Sequence, residues 1–187
     1  IQNSFNYHRV MLQDYIYALR LGELCGETLP AIVYERIQKA VNFLYEVQDQ
    51  QTGCVPYYGN DDGALITPLN TSDYADFRPV LNAGYYLFHK KRLYSAGIWD
   101  EDLLWLFGVS SLESSTQMIA PTSLAATDGG YYTLRGKETF ALTRCTTYQY
   151  RPGQADMLHM DLWWHGLNIA CDPASHTKKK KKPWNTA

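Results

Sequence analysis

The fold is decided by a stretch that reads GGYYTLRGKETFALTRCTTYQY over residues 129–150. Two glycines precede a run rich in Tyr and Thr at residues 131–134, and Arg135-Gly136-Lys137 separates it from a second such run at residues 139–150. Aromatic and β-branched residues bounded by glycine are typical of antiparallel strands. The chain before this stretch has helical periodicity, so we expect the change from helices to strands near residue 110.

A further strand is predicted over residues 157–164, because its side chains alternate sharply between two faces. Leu158, Met160, Leu162 and Trp164 share one face, and Met157, His159, Asp161 and Trp163 share the other. One of the two tryptophans should therefore lie in the core. His165-Gly166 is expected to turn the chain into a last strand at residues 167–171. About four strands are too few for two packed sheets, so the β part should be incomplete.

Two helices are predicted at the start of the chain. The first covers residues 5–24, where apolar residues recur with the 3.6-residue period, and Gly26 is its expected end. The second should begin with Thr28 as N-cap and Pro30 in its first turn. The short connection predicts that the two helices pack antiparallel as a hairpin.

A long loop and two more helices are expected next. Residues 52–72 are rich in Gly, Pro, Asn, Asp and Thr, and irregular loops of about 20 residues tend to be functional. A third helix is predicted over residues 76–91, with Pro79 in its first turn. A fourth over residues 100–107 should be capped by Asp100 and end at Gly108.

Composition excludes several classes of protein. With 45% hydrophobic and 19% charged residues among 187, the chain is globular rather than disordered. Five of the 17 basic residues form one run at residues 178–182, so the rest is acidic and a nucleic-acid partner is not expected. No apolar run is long enough to span a membrane. The four cysteines lack CxxC spacing and can pair in three ways, although four buried thiols are the simplest expectation.

Common catalytic motifs do not occur: the sequence has no Gly-rich phosphate loop, GxSxG, HExxH or EF-hand loop. Three polar clusters stand out instead. They read NSFNYHR at residues 3–9, GNDDG at residues 59–63 and RPGQAD at residues 151–156, the last of which leads into His159 and Asp161.

These clusters, together with GGYYTLRG and with QADMLHMDLWWHGLNIACDP at residues 154–173, resemble the heparinase II/III family of polysaccharide lyases. The resemblance implies an α+β fold in which the helical hairpins of an α/α toroid precede the antiparallel strands of an incomplete β-sandwich, with the active site in the cleft between them. Residues 1–108 would be the end of the toroid and residues 109–177 the start of the sandwich. Residues 178–187 are then a basic tail, disordered or artefactual, and the chain is expected to be a piece of a longer protein.

The resemblance also implies a reaction, the β-elimination of an anionic, uronic-acid-containing polysaccharide. That reaction needs a base for the C5 proton, an acid for the departing O4 and neutralisation of the carboxylate. The family's Tyr-His pair matches Tyr7, as the catalytic residue, and His8, as a substrate-binding one. Tyrosine can serve as both acid and base when nearby positive charge lowers its pKa, and Arg9 is a cation whose direction the sequence leaves open. From the residues alone, a tyrosine on a helix is more often a packing or surface residue than a catalyst, and His8 and Arg9 could equally face solvent in the first turn.

The other site residues come from the second and third clusters. Asn60 and Asp62 are expected to bind sugar hydroxyls, although aspartates in such a loop also cap turns through their carboxylates. Arg151 and Gln154 are expected to recognise the substrate carboxylate. His159 is expected to line the cleft, with the outer face of the sheet as the alternative.

The third polar cluster is where the sequence departs most clearly from the family. Many members have His-x-His-Ala-Asp where this chain has Pro152 and Gln154, so both imidazoles are lost. We therefore expect no cofactor, with a structural divalent metal near Asp172 as the alternative. A non-catalytic relative that binds an anionic glycan is the rival interpretation, whereas a helical-repeat scaffold would lack the strands. The resemblance further implies a cell-envelope or periplasmic location, and we expect the fragment alone to be inactive.

Overall fold

The computed structural model describes residues 3–66, 69–145 and 157–171. Within them the chain forms four α-helices and then five strands. The helices are α1 (Phe5–Cys25), α2 (Ala31–Glu46), α3 (Arg78–His89) and α4 (Glu101–Phe107), and the strands are β1 (Ala125–Ala126), β2 (Tyr131–Arg135), β3 (Thr139–Arg144), β4 (Met160–Trp164) and β5 (Leu167–Ala170). The last helical turn, Val109–Ser111, lies close to the predicted change near residue 110. The α+β class predicted from the sequence is confirmed.

Helix α1 follows its prediction closely. Its apolar stripe buries Leu12, Ile16 and Leu19, each at most 1% exposed, against the neighbouring helices. Gly26 ends it in the left-handed conformation, with φ at 73°, and donates its amide to the last turn. A left-handed residue at this position favours glycine because it has no Cβ to clash.

Helix α2 begins later than predicted, because Thr28 is not its N-cap. Pro30 occupies that position in an extended conformation with ψ at 141°, and its carbonyl accepts the amide of Val33 at 2.9 Å. A proline disfavours the helical conformation of the residue before it, here Leu29, so the helix cannot start upstream of Pro30.

Helix α3 is two residues shorter at each end than predicted, and Pro79 lies in its first turn as expected. It ends at Lys90, which adopts φ of 52°. Eight of the 12 residues of α3 are buried, so this helix lies at the centre of the helical part.

Asp100 precedes α4, but its carboxylate does not cap that helix. Instead it accepts hydrogen bonds from Nδ2 of Asn82 at 2.7 Å, from Nη1 of Arg92 at 3.3 Å and from the amide of Gly97 at 3.2 Å. The side chain thus ties α3 to the segment before α4. Gly108 ends α4 as predicted.

The five strands form one antiparallel sheet in the order β1-β2-β3-β4-β5. Strand β4 begins at Met160 rather than at residue 157, because Leu158 adopts a left-handed φ of 59° and turns the chain. His165 and Gly166, with φ of 49° and 74°, make the predicted tight turn into β5.

The two faces of the sheet have different environments. Phe140, Leu142 and Trp163 point toward the helices and belong to the same hydrophobic core. Trp163 is 6% exposed and Trp164 is 51% exposed, so one tryptophan is in the core as predicted. The outer face carries exposed apolar side chains, among them Leu134, Met160, Trp164 and Leu167.

The connection from α2 to α3 spans residues 47–77, and its described part contains neither helix nor strand, as the sequence predicts for residues 52–72. In the described residues no helix is long and apolar enough to cross a membrane. The four cysteines, all within the described ranges, form no disulfide, and Cys25, Cys145 and Cys171 are exposed. The prediction of four buried thiols is therefore wrong.

Candidate functional site

The start of α1 is bonded directly to the long loop. Oγ of Ser4 accepts the amide of Tyr7 at 3.2 Å, which caps the helix, and donates to the carbonyl of Asn60 at 2.6 Å. The amide of Phe5 donates to the carbonyl of Tyr58 at 3.2 Å. Two of the three polar clusters in the sequence are thereby brought together.

Gly59 lets the loop approach this closely. Its φ is 76°, and a Cβ built on it would lie 2.6 Å from Cα of Ser4 and would also collide with the carbonyl of Asn3. Both are backbone atoms, so they can move only if the chain itself shifts. Glycine is required here both for its conformation and for its lack of a side chain.

Tyr7 and Asp62 form the central pair of the candidate site. Oη of Tyr7 donates to Oδ2 of Asp62 at 2.6 Å. The hydrogen bond to Asp62 raises the pKa of Tyr7, and burial and the charges of Asp62 and Asp61 raise it further. The charges that act on Tyr7 are therefore negative, and the condition under which a tyrosine serves as both acid and base, a pKa lowered by positive charge, is not met here.

The two aspartates also have the turn-capping role that the sequence left open. Oδ1 of Asp61 accepts the amide of Gly63 at 3.0 Å, and Oδ1 of Asp62 accepts the amide of Ala64 at 3.3 Å. Asp62 is exposed. One carboxylate thus both shapes the loop and holds the phenol of Tyr7.

Arg9 does not face Tyr7. It is 3% exposed, its guanidinium lies 4.3 Å from the ring centres of both Tyr74 and Phe77, and its Nη1 and Nη2 donate to the carbonyl of Tyr74 and to Oδ1 of Asn6. Its direction, left open by the sequence, is into the protein. Asn6 and Arg9, three residues apart, lie on the same face of α1, and Tyr74 and Phe77 cover Arg9 on that face.

His8 points toward α2 rather than toward the loop. Its Nε2 lies 2.9 Å from the carbonyl of Ala40, and its ring packs on Phe43 with centres 5.6 Å apart. A carbonyl only accepts hydrogen bonds, so Nε2 carries the proton. Burial lowers the pKa of His8, which keeps it neutral. Only its Nδ1 is left to contact a substrate.

An open pocket lies beside the Tyr7–Asp62 pair. Its lining is mostly aromatic and apolar, with one amide and one carboxylate, and consists of Phe5, Asn6, Val55, Pro56, Tyr57, Tyr58, Asp61, Tyr74, Ala75 and Phe77. Tyr74 donates its hydroxyl to Oδ1 of Asp61 at 2.5 Å. No lysine or arginine belongs to this lining.

His159 lies on the inner side of the sheet, next to the same loop. Its Nε2 is 2.6 Å from Oδ2 of Asp161, whose Oδ1 accepts Nδ2 of Asn168 at 2.6 Å. Asp161 is fully buried, so the alternative in which this pair covers the outer face is wrong. The ring of His159 is 6.2 Å from that of Tyr58, and the guanidinium of Arg144 lies 4.7 Å from the centre of the Tyr58 ring.

The remaining predicted residues have different outcomes. Asn60 takes part through its backbone carbonyl, and it is exposed at the loop surface. Arg151, Gln154 and Asp172 lie outside the described residues, as does the tail. Within residues 3–66, 69–145 and 157–171, no group of three or more His, Cys, Asp or Glu side chains is arranged to hold a metal ion.

Sequence reasoning missed Asn6 and Tyr74. Asn6 bridges Arg9 and the pocket, and Tyr74 covers Arg9 and bonds to Asp61. The three-residue spacing of Asn6 and Arg9 is a signal that could have found the first. Nothing in the sequence marks Tyr74 among 15 tyrosines.

Comparison with known proteins adds no relative: no protein-family model, curated protein or solved structure matches this chain.

Proposed function

We propose that the chain contributes the glycan-binding cleft of a polysaccharide lyase, in which Tyr7 transfers a proton during β-elimination at a uronic acid. The observation that carries the proposal is the 2.6 Å bond from Tyr7 to Asp62. It joins two motifs of the family resemblance that are 55 residues apart in sequence, at an accessible place on the surface.

The electrostatics favour the acid half of this chemistry. The raised pKa of Tyr7 disfavours the phenolate that would have to take the C5 proton, so the phenol is assigned to protonate the departing O4 as the C4–O4 bond breaks. The phenol has one proton, and a substrate oxygen must therefore replace Asp62 as its acceptor. Removal of the C5 proton needs a base other than Tyr7, and neutralisation of the carboxylate needs a cation or hydrogen-bond donors. An extracellular polymer as substrate accords with a cell-envelope location.

A second candidate is a relative that binds an anionic glycan without cutting it. Two observations favour it: Arg9 is buried away from Tyr7, and the groups that shift the pKa of Tyr7 are both aspartates. Carbanion chemistry beside two carboxylates needs a cation to stabilise the developing charge.

The test is a panel of polymers offered to the intact protein, namely alginate, polygalacturonate, hyaluronan and unsulfated heparosan. Unsaturated uronate products absorb in the ultraviolet, and binding is followed in parallel by calorimetry. Absorbance that grows with time on any of them supports the lyase. Binding without absorbance on every polymer overturns the lyase and favours the second candidate.

A further inference from the structure

We propose that Tyr74 is a positioning residue for Tyr7, which acts by holding the turn that carries Asp61 and Asp62 against the start of α1. The inference deepens the proposed function, because it rests on the role given there to Tyr7 and adds a residue that controls it. Each phenol has one proton, and each gives it to a different aspartate. The link between the two tyrosines therefore runs through the turn.

Two neighbouring carboxylates hold the two tyrosines. Oδ1 of Asp61 accepts the hydroxyl of Tyr74 at 2.5 Å, and Oδ2 of Asp62 accepts that of Tyr7 at 2.6 Å. Each aspartate also accepts the backbone amide two residues ahead of it, which fixes its carboxylate relative to its own backbone. Consecutive Cα atoms are about 3.8 Å apart, so a shift of Asp61 moves Asp62 as well.

Tyr74 can anchor this turn because Arg9 fixes it in place. The buried guanidinium of Arg9 lies 4.3 Å from the centre of the Tyr74 ring, and its Nη1 donates to the carbonyl of Tyr74. One side chain of α1 thus contacts both the ring and the backbone of Tyr74. Tyr7 and Arg9 are two residues apart on α1. The helix therefore holds the turn by two routes, directly through Tyr7 and indirectly through Arg9 and Tyr74.

The protonation of Tyr74 suits it to this role. Burial and the hydrogen bond to Asp61 raise the pKa of Tyr74, and the charge of Arg9 opposes that shift only in part. Burial lowers the pKa of Arg9, whereas the charges of Tyr74 and Asp61 raise it. An arginine stays charged in proteins, so the cation and the carboxylate favour each other on the two sides of Tyr74. Tyr74 therefore remains a donor to Asp61 at neutral and moderately alkaline pH.

The consequence for Tyr7 is a better-held hydrogen bond. The bond to Asp62 is the largest of the causes that raise the pKa of Tyr7. A turn held at Asp61 keeps Asp62 within reach, and Tyr7 then keeps its proton to higher pH. In the proposed reaction this extends the pH range over which Tyr7 can protonate the departing O4.

The experiment measures the pKa of Tyr7 by carbon-13 NMR of the intact protein, in the wild-type background and in Asp62→Ala. Tyr74→Phe removes the hydroxyl of Tyr74 but keeps the ring that packs on Arg9. The four combinations form a double-mutant cycle, which shows whether Tyr74 acts on Tyr7 through Asp62.

We expect Tyr74→Phe to increase the ionisation constant of Tyr7 by about fivefold in the wild-type background, which is the net worth of one hydrogen bond. In Asp62→Ala, where the supported bond is absent, Tyr74→Phe should have no effect. Tyr94→Phe is the matched control, because it also removes a bonded hydroxyl, which donates to Gln48 at 2.6 Å. An unchanged pKa of Tyr7 in Tyr74→Phe, or the same fall in both backgrounds or in Tyr94→Phe, overturns the positioning role.

A second pair of variants makes the test independent of how well Tyr74→Phe folds. Asp61→Asn and Asp61→Ala remove the same charge, but only the asparagine keeps an acceptor for Tyr74. The pKa of Tyr7 should therefore be lower in Asp61→Ala than in Asp61→Asn. Equal values would overturn the proposal.

The two proposals can fail separately. The alkaline limb of kcat/KM reports the essential acid of the free enzyme, so it should move to lower pH in Tyr74→Phe. The expected NMR results without elimination of any polymer support the positioning role and overturn the lyase. Elimination that depends on Tyr7, with the same alkaline limb and the same pKa of Tyr7 in Tyr74→Phe, supports the lyase and overturns the positioning role.

Discussion

The phenol of Tyr7 and the carboxylate of Asp62 are joined by a hydrogen bond of 2.6 Å, although one residue lies on α1 and the other in the loop before α3. The bond depends on Ser4, whose hydroxyl caps α1 and holds the carbonyl of Asn60. The side chain that caps α1 therefore also holds the loop in the position from which Asp62 reaches Tyr7.

This arrangement makes the ionisation of Tyr7 depend on Asp62. We expect the pKa of Tyr7 to lie above 10.0 in the wild type and to fall toward that value in Asp62→Asn, which removes the charge that opposes ionisation. The bond stabilises the fold at pH values below 10 and is lost as the pH rises through the raised pKa.

Carbon-13 NMR titration of the tyrosine rings measures this effect, with Tyr7→Phe to assign the signal and exposed Tyr15 as the internal reference. A wild-type Tyr7 that titrates below 10, or a pKa that does not respond to Asp62→Asn, would contradict the pairing.

Gly59 and Gly63 offer a matched pair of substitutions in the same loop. Both have positive φ, 76° and 81°, but a Cβ on Gly63 would meet nothing within 4 Å. We expect Gly63→Ala to lower the free energy of unfolding by about 1 kcal/mol, which is the conformational strain alone. Gly59→Ala should lower it by about 3 kcal/mol, because it also forces the loop off Ser4. Urea denaturation gives both values, and equal losses would show that the close approach to α1 is unimportant.

His8 makes stability depend on pH. Because burial lowers its pKa in the folded state, the unfolded chain binds the proton more readily, and stability falls as the pH drops below 6.5 through the lower folded pKa. His8→Gln keeps a donor for the carbonyl of Ala40 but does not titrate. The stability advantage of the wild type over His8→Gln should therefore shrink below pH 6.5.

The measurement is the free energy of unfolding of wild type and variant between pH 5 and 8, with the exposed turn residue His165 replaced by Asn as the control. A gap between wild type and His8→Gln that is the same at every pH would refute the burial of a neutral imidazole.

Arg135 holds the sheet to the helices. Its Nη2 donates to the carbonyls of Glu46 and Gln48, both at 2.7 Å, at the C-terminal end of α2, and its guanidinium lies over the ring of Phe140 at 4.3 Å. A cation at this end of a helix is favourable. Arg135→Met should reduce the free energy of unfolding by about 2 kcal/mol. Exposed Arg36 on α2 is the control, and an equal effect of Arg36→Met would rule out the specific role of Arg135.

Local patterns predicted most of the elements. The apolar repeat of α1, the left-handed stop at Gly26 and the turn at His165 and Gly166 each depend on residues close in sequence, and the structure has all three. The start of α2 was predicted wrongly because the effect of Pro30 on the residue before it outweighed the capping preference of Thr28.

The candidate site was predictable only in part. Tyr7 and Asp62 both came from the sequence, but the bond between them depends on a tertiary contact through Ser4. The direction of Arg9 was unpredictable because the rings that cover it, Tyr74 and Phe77, are more than 60 residues away in the chain. The direction of the pKa shift of Tyr7 was equally out of reach, because it is set by the long-range hydrogen bond to Asp62.

The most direct test of the account is the initial rate of unsaturated uronate formation by the intact protein and its Tyr7→Phe variant, on the best polymer of the panel. Tyr15→Phe, on the same helix and exposed, is the control. If Tyr7 is the proton donor, Tyr7→Phe should lower the rate by about 10²–10⁴-fold and Tyr15→Phe should leave it unchanged. A Tyr7→Phe variant that cleaves the polymer at the wild-type rate would contradict the central claim.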